Sequence, residues 1–177
     1  VAVRIPPYTD DLDLDLIRIS AENPGYRVER YGDGTVVMSP TGGFGGAKSG
    51  EAFGQLRDYA KRVGGKAFSS KQGWKLRDAL GRDTDRSPDA SWLSQEHVDA
   101  VPSEDRASSR FLRIVPDVAL EVRSPSGSWR DTCEKIELYR ANGVRYAAAI
   151  DPETRAVVEL GTPPDGLALD FDAIIDA

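Results

Sequence analysis

The 177-residue chain contains one cysteine, one histidine and one methionine. A lone thiol, Cys133, excludes an internal disulfide and a cysteine-built zinc site, and it fits a reducing compartment. The lone His97 cannot build a histidine metal cluster. No apolar run approaches the length of a membrane-crossing helix, and the opening VAVRIPPYTDD lacks the basic-then-apolar pattern of a secretory signal. A protein of the cytoplasm, with no membrane partner, is therefore expected. Positive charge is also scarce. The 23 Lys and Arg stand against 29 Asp and Glu, a net charge of −6, which opposes strong non-specific attraction to nucleic acid. Internal repeats are absent. What is present is 40% hydrophobic residues over a length suited to one domain, residues 1–177, with a core of its own.

The segment TDDLDLDLIRISAENPG offers Thr9 or Asp10 as an N-cap and ends at Pro24-Gly25, so it fits an acidic helix, with a short strand as the rival. YRVERYGDGTVVMSP reads as a hairpin turning at Gly32-Asp33-Gly34. From Ala47 to Val63, apolar residues Phe53, Leu56, Ala60 and Val63 recur at helical steps, and Gly64-Gly65 end the run. Short strands are expected at KAFSS, GWKL and RSPDASWLS, with RDALGRDTD as a polar loop and residues 95–110 irregular. IVPDVALEVRS is the clearest strand: Val118, Leu120 and Val122 share one face, and Asp117, Ala119, Glu121 and Arg123 share the other. A helix follows, with Asp131 and Glu134 at capping-box spacing and Gly143 as its stop. VRYAAAID and AVVEL form a last hairpin, and the tail 161–177 adds an edge strand or stays loose. Helices mixed with adjacent hairpins predict an α/β fold with a mixed β-sheet flanked by helices.

Two short motifs invite specific chemistry and fail on one residue each. In SPTGGFGGAKSGEAFGQL, Gly42 opens a phosphate-loop spacing that ends on Lys48 and Ser49, but Ala47 stands where the last glycine belongs, and its Cβ would crowd the approach of backbone N–H groups to a phosphate. In DLDLDLIRISAE, Asp11, Asp13, Asp15 and Glu22 match calcium-loop spacing, but Leu16 occupies the obligatory glycine position. Trp74, Trp92 and Trp129 are the anchors on offer for a partner protein, but core or edge packing is the expected role of all three.

Three other carboxylates form a more coherent set. Asp89 lies in a strand after Pro88, Glu121 lies in the clearest strand, and Glu51 lies on the helix fed by the glycine loop. Two strand carboxylates side by side can offer hard oxygen ligands to Mg²⁺ while leaving room for water and a substrate phosphate. A cation beside them would come from Arg123 or Lys135. Each residue also has a structural reading. Glu51 can complement the helix dipole, and Asp89 and Asp117 can organise strand entry. Glu121 and Arg123 can form a surface pair, and Lys135 can lie on a solvated helix face.

The ordered set TGG, SGEAFGQL, RSPDASWLS, PDVALEVRSPS and EKIELYRANGVRYAAAIDPETRAV resembles the Uma-two family of restriction-endonuclease-type domains in the PD-(D/E)xK superfamily, over roughly residues 10 to 160. The resemblance implies a restriction-endonuclease-like core and hydrolysis of DNA phosphodiester bonds with Mg²⁺ or Mn²⁺. It implies metal ligands Asp89 and Glu121, joined by the Val122 carbonyl, with Glu51 supporting the metal or orienting water. It places the catalytic cation at Lys135, because Arg123 stands where the superfamily often has lysine. Where the family often carries a histidine near the start of the first helix, this chain has Lys48 or Ser49. Nucleases of this fold are commonly homodimers. The rival reading is a non-catalytic nucleic-acid- or protein-binding module that keeps the fold.

Overall fold

A computed structural model describes residues 12–40, 43–107 and 111–177. The expected caps Thr9 and Asp10, the calcium-spaced Asp11 and the phosphate-loop Gly42 lie outside them. Helix α1 (Leu12–Glu22) resolves the first ambiguity in favour of a helix, with Leu16 and Ile19 buried against Val28. Strands β1 (Tyr26–Arg30) and β2 (Val36–Pro40) form the expected antiparallel hairpin, with Arg30 opposite Val36, and Gly34 takes φ +89° in its turn.

Helix α2 (Gly43–Val63) is rotated from the expected phase. Its fully covered residues are Ala52, Leu56 and Tyr59, Phe53 and Ala60 are partly covered, and Val63 is exposed. Small Ala52 lets the helix sit close to the sheet, which pulls that side inward. Gly65 ends the run at φ +82°, where a Cβ would lie 2.2 Å from the Leu93 carbonyl.

The residues between β3 (Lys66–Ser69) and β6 (Ala90–Leu93) correct the expected polar loop. Strands β4 (Trp74–Arg77) and β5 (Asp83–Arg86) pair as an antiparallel hairpin. The Asp78 carboxylate accepts the N–H groups of Leu80 and Arg82 at 2.9 Å each and so organises the turn. The stretch 95–110, expected to be irregular, contains short helices α3 (Gln95–Ala100), capped by Ser94, and α4 (Ser103–Ala107).

Strand β7 (Val118–Val122) is buried on both faces, so the expected polar face of this strand is interior. Helix α5 (Trp129–Ala141) begins at Ser128, whose hydroxyl accepts the Asp131 N–H at 3.2 Å; Ser128 is the N-cap in place of the expected Asp131 box. Strands β8 (Tyr146–Asp151) and β9 (Ala156–Gly161) form the last hairpin. The tail ends in helix α6 (Phe171–Asp176), which buries Ile174 and Ile175. The expected edge strand does not form, because two adjacent isoleucines reach the core from a single helical turn.

Two sheets result in place of one. Their strand orders are β2-β1-β5-β4, all antiparallel, and β3-β6-β7-β8-β9, in which only β7 and β8 run parallel. One core lies between the second sheet and α2 with α6, and the other lies between its opposite face and α5. Trp74 and Trp92 are buried and Trp129 is half-buried, so all three tryptophans pack internally. Among the described residues, no helix is long and apolar enough to cross a membrane.

Candidate active site

Ala90 pairs with Leu120 and Trp92 with Val118 in the antiparallel ladder of β6 and β7. Continuing that register by one residue sets Asp89 across from Glu121, at the end of both strands, where antiparallel neighbours share a face. The Asp89 carboxylate is 6% exposed. Its Oδ2 accepts the Val122 N–H at 2.7 Å, and its Oδ1 accepts from Arg27 Nη1 at 3.0 Å and from the Ser49 hydroxyl at 3.1 Å. The strand-entry bond expected of Asp89 is therefore present together with two side-chain partners.

Glu121 is 2% exposed. One turn of α5 supplies both its partners, since residues four apart lie on one helix face. The Tyr139 hydroxyl donates to Oε1 at 2.5 Å, and Lys135 Nζ lies 3.5 Å from Oε2. Lys135 also pairs with Glu29 of β1 at 3.1 Å, and Glu29 accepts the Ser87 N–H at 3.0 Å. The first sheet thus contributes Arg27 and Glu29, two residues apart on one face of β1, to a cluster otherwise built on the second sheet.

Burial pushes the Glu121 carboxyl up to about 7. Asp89 and Glu29 add to that rise, and Lys135 and Arg27 offset only part of it. For Glu29, burial acts upward but is outweighed by Lys135, Arg27 and the Ser87 N–H, so its carboxyl stays below the usual range. Burial likewise opposes the charge on Lys135, yet Glu121 and Glu29 hold its ammonium above the ordinary lysine value. Burial and Glu121 keep the Tyr139 hydroxyl protonated well above the ordinary tyrosine range, which preserves it as a donor.

The structure therefore brings Asp89, Glu121 and Lys135 together. Glu51 is not joined to them by any described contact: its partner is Gln55 at 3.0 Å, and Gln55 in turn binds the backbone of Asp170 before α6. Ser49, two residues earlier and so on nearly the opposite side of α2, is the helix residue that reaches Asp89. Lys48 donates to the carbonyls of Ile175 and Ala177, away from any phosphate cradle. Arg123 lines the opening beside Asp89, with its guanidinium already held by partners. Its Nε donates to Asp151 at 2.8 Å, and its other nitrogens hold Glu153 and the Gly127 carbonyl.

Arg27, Glu29 and Tyr139 are the site residues that sequence reasoning missed. The signal for the first two was the alternation of charge with Val28 in a strand-favouring run; for Tyr139 it was the four-residue spacing from Lys135.

A cleft of about 200 Å³ opens on Asp89, walled by Arg27, Ser39, Ser49, Phe53 and the end of β7, with Gly45, Gly46 and Gly50 removing side-chain bulk from its α2 wall. Among the described residues no three His, Cys, Asp or Glu side chains form a metal cage. Asp89 and Glu121 lie across from each other in the strand register, and burial, with Asp89 adding to it, is what raises Glu121.

A mixed sheet with helices on both faces, and paired carboxylates at the adjoining ends of its central strands, define a nuclease-type α/β fold. The chain belongs to the Uma2 (Uma-two) family, described as "Putative restriction endonuclease", whose model matches residues 11–169. It is similar in fold to the crystal structure of a "putative nuclease belonging to DUF820" from Anabaena variabilis, with TM-score 0.62, 18% identity, and coverage of 84% of this chain and 89% of that one. Among curated proteins, none matches.

Proposed function

We propose that this chain is a cytoplasmic, metal-dependent endonuclease acting on DNA, with Asp89 and Glu121 as the ligands of one Mg²⁺ or Mn²⁺. The observation that supports it best is that Asp89, which opens on the cleft, lies across the strand register from buried Glu121, and Lys135 stands 3.5 Å from Glu121. When bound, the divalent ion would supply a nucleophilic water near neutral pH and polarise a phosphoryl oxygen. The protein's own groups do the rest. Arg27 lines the cleft beside Asp89 and carries the planar fork that suits a phosphate. Lys135, fixed between Glu29 and Glu121, holds a preorganised ammonium toward charge that develops at the reacting phosphate. Tyr139 and Ser49 orient the two carboxylates. Glu51, which accepts from Gln55 beside the C-terminal segment, supports α2, the helix that carries Ser49. Two-strand cleavage would call for a homodimer with two such sites.

The test is cleavage of single-stranded, duplex and supercoiled DNA with and without Mg²⁺ or Mn²⁺, by the wild type and Asp89→Asn. Metal-dependent cleavage lost in Asp89→Asn is the expected result. Cleavage that persists in chelator, or unchanged in Asp89→Asn, contradicts it. Retained DNA binding without cleavage under every condition would favour the binding-module reading, which the net charge of −6 does not strengthen into tight non-specific binding.

A further inference from the structure

We propose that the cavity on the far side of Arg27 receives an unpaired nucleobase adjoining the phosphate at Asp89, so that the preferred substrate is single-stranded or locally unpaired DNA. This rests on the nuclease reading and deepens it. The cavity, about 370 Å³, is bounded by α1, β1, the β3–β4 connection and Phe111. Its volume falls within the range of about 300–1,000 Å³ typical of small-molecule sites.

Arg27 and Ser70 line both this cavity and the Asp89 cleft. The guanidinium stands between them: Nη1 donates to Asp89 on one side and to the carbonyl of Ser87, a lining residue of the cavity, at 3.2 Å. A phosphate at Asp89 and the base of an adjoining nucleotide would therefore occupy neighbouring compartments across one cationic partition. The second compartment has the chemistry that takes a base. Tyr26 and Phe111 supply aromatic walls, and Ser20, Lys71 and Gln72 bring hydroxyl, ammonium and amide groups. Base-on-aromatic stacking is tolerant of sequence, and polar groups at the edge supply orientation. Gly73 keeps the wall thin, since a Cβ there would lie 1.9 Å from the Phe111 ring. A base paired to its complement carries a second base on its Watson–Crick edge and doubles the volume to be housed, which a cavity of about 370 Å³ walled by α1 and the β3–β4 connection does not match. Only an unpaired or extruded base enters. Lys71, whose ammonium donates to the Pro24 carbonyl at 2.9 Å, adds a cation on the cavity side of Arg27.

The experiment uses oligonucleotides of one sequence in three forms: single-stranded, fully paired, and with one bulged nucleotide. Each carries 2-aminopurine at the same nucleotide, which is unpaired in the single-stranded and bulged forms and paired in the duplex, and an abasic version of the single strand serves as control. With metal-free wild type, the fluorescence of the single-stranded and bulged forms should change on titration, and the abasic strand should bind roughly tenfold more weakly, the scale of one lost base stack. With Mn²⁺, KM for the unpaired forms should lie at least about tenfold below that of the paired duplex, and Tyr26→Ala or Gln72→Ala should raise it while kcat holds. Equal binding of abasic and base-containing strands, or equal KM for paired and unpaired DNA, overturns the proposal. If nothing is cleaved with any metal, the nuclease reading fails, and the fluorescence titration still decides the pocket.

Discussion

Strand β1 builds two buried ionic clusters, one from each of its faces, and they differ in their opening to solvent. On one face Arg30 pairs with Asp85 at 2.6 Å and lies 3.7 Å from Asp13, and Lys75 joins Asp13 at 2.6 Å and Asp85 at 3.8 Å. On the other face Arg27 and Lys135 pair with Glu29, Asp89 and Glu121, and Arg86 adds its charge near Glu29. The first cluster is closed, with Asp85 fully buried, whereas the second opens on the Asp89 cleft. Buried ions cost stability unless their partners offset it, so the closed cluster serves the fold, while the open one leaves room for a ligand, which under the proposed function is a divalent cation.

The comparison breaks most visibly through the closed cluster. Asp85→Ala strands Arg30 and should cost about 3–5 kcal/mol by denaturant unfolding, with the cleavage rate per folded molecule unchanged. A rate loss as large as that of a site variant would erase the distinction between the two clusters.

Lys135→Ala should lower the cleavage rate by about a hundredfold or more, since one preorganised electrostatic group is lost. Glu29→Gln, which keeps shape and removes the partner charge of Lys135, should lower kcat by a smaller factor with KM little changed. Steady-state kinetics on both variants checks the order, and equal losses would make Glu29 a direct participant. A smaller effect is expected at Arg123. Because its guanidinium is committed to Asp151 and Glu153, Arg123→Ala should destabilise the ends of β7 and β8 while the folded fraction cleaves at near the wild-type rate. A rate collapse at full folding would return the catalytic cation to the strand position.

Much of this was legible from local pattern. Asp89, Glu121 and Lys135 lie on or next to elements with clear patterning, and the pairing of two neighbouring strands with the helix that follows them brings the three together. The phase of α2 was not legible. Phe53 looks like the buried residue, but close packing selected Ala52, and that rotation carries Ser49 to Asp89 and Glu51 to the C-terminal segment. Strand β5 escaped notice because Asp83–Arg86 is polar throughout, and its burial rests on ion partners of Asp85 from β1 and β4 and on the Thr84 hydroxyl donating to the Arg30 carbonyl. Arg27 and Glu29 escaped for a related reason. Their hairpin was evident, but the docking of one sheet's face onto the end of another depends on contacts far apart in sequence, such as Glu29 with Lys135.

Titration calorimetry of Mn²⁺ into the wild type and Asp89→Asn tests the central claim most directly, because it needs no substrate. The account predicts saturable binding by the wild type that disappears in a folded Asp89→Asn. Absence of binding at millimolar Mn²⁺, or equal binding by the two proteins, would contradict it.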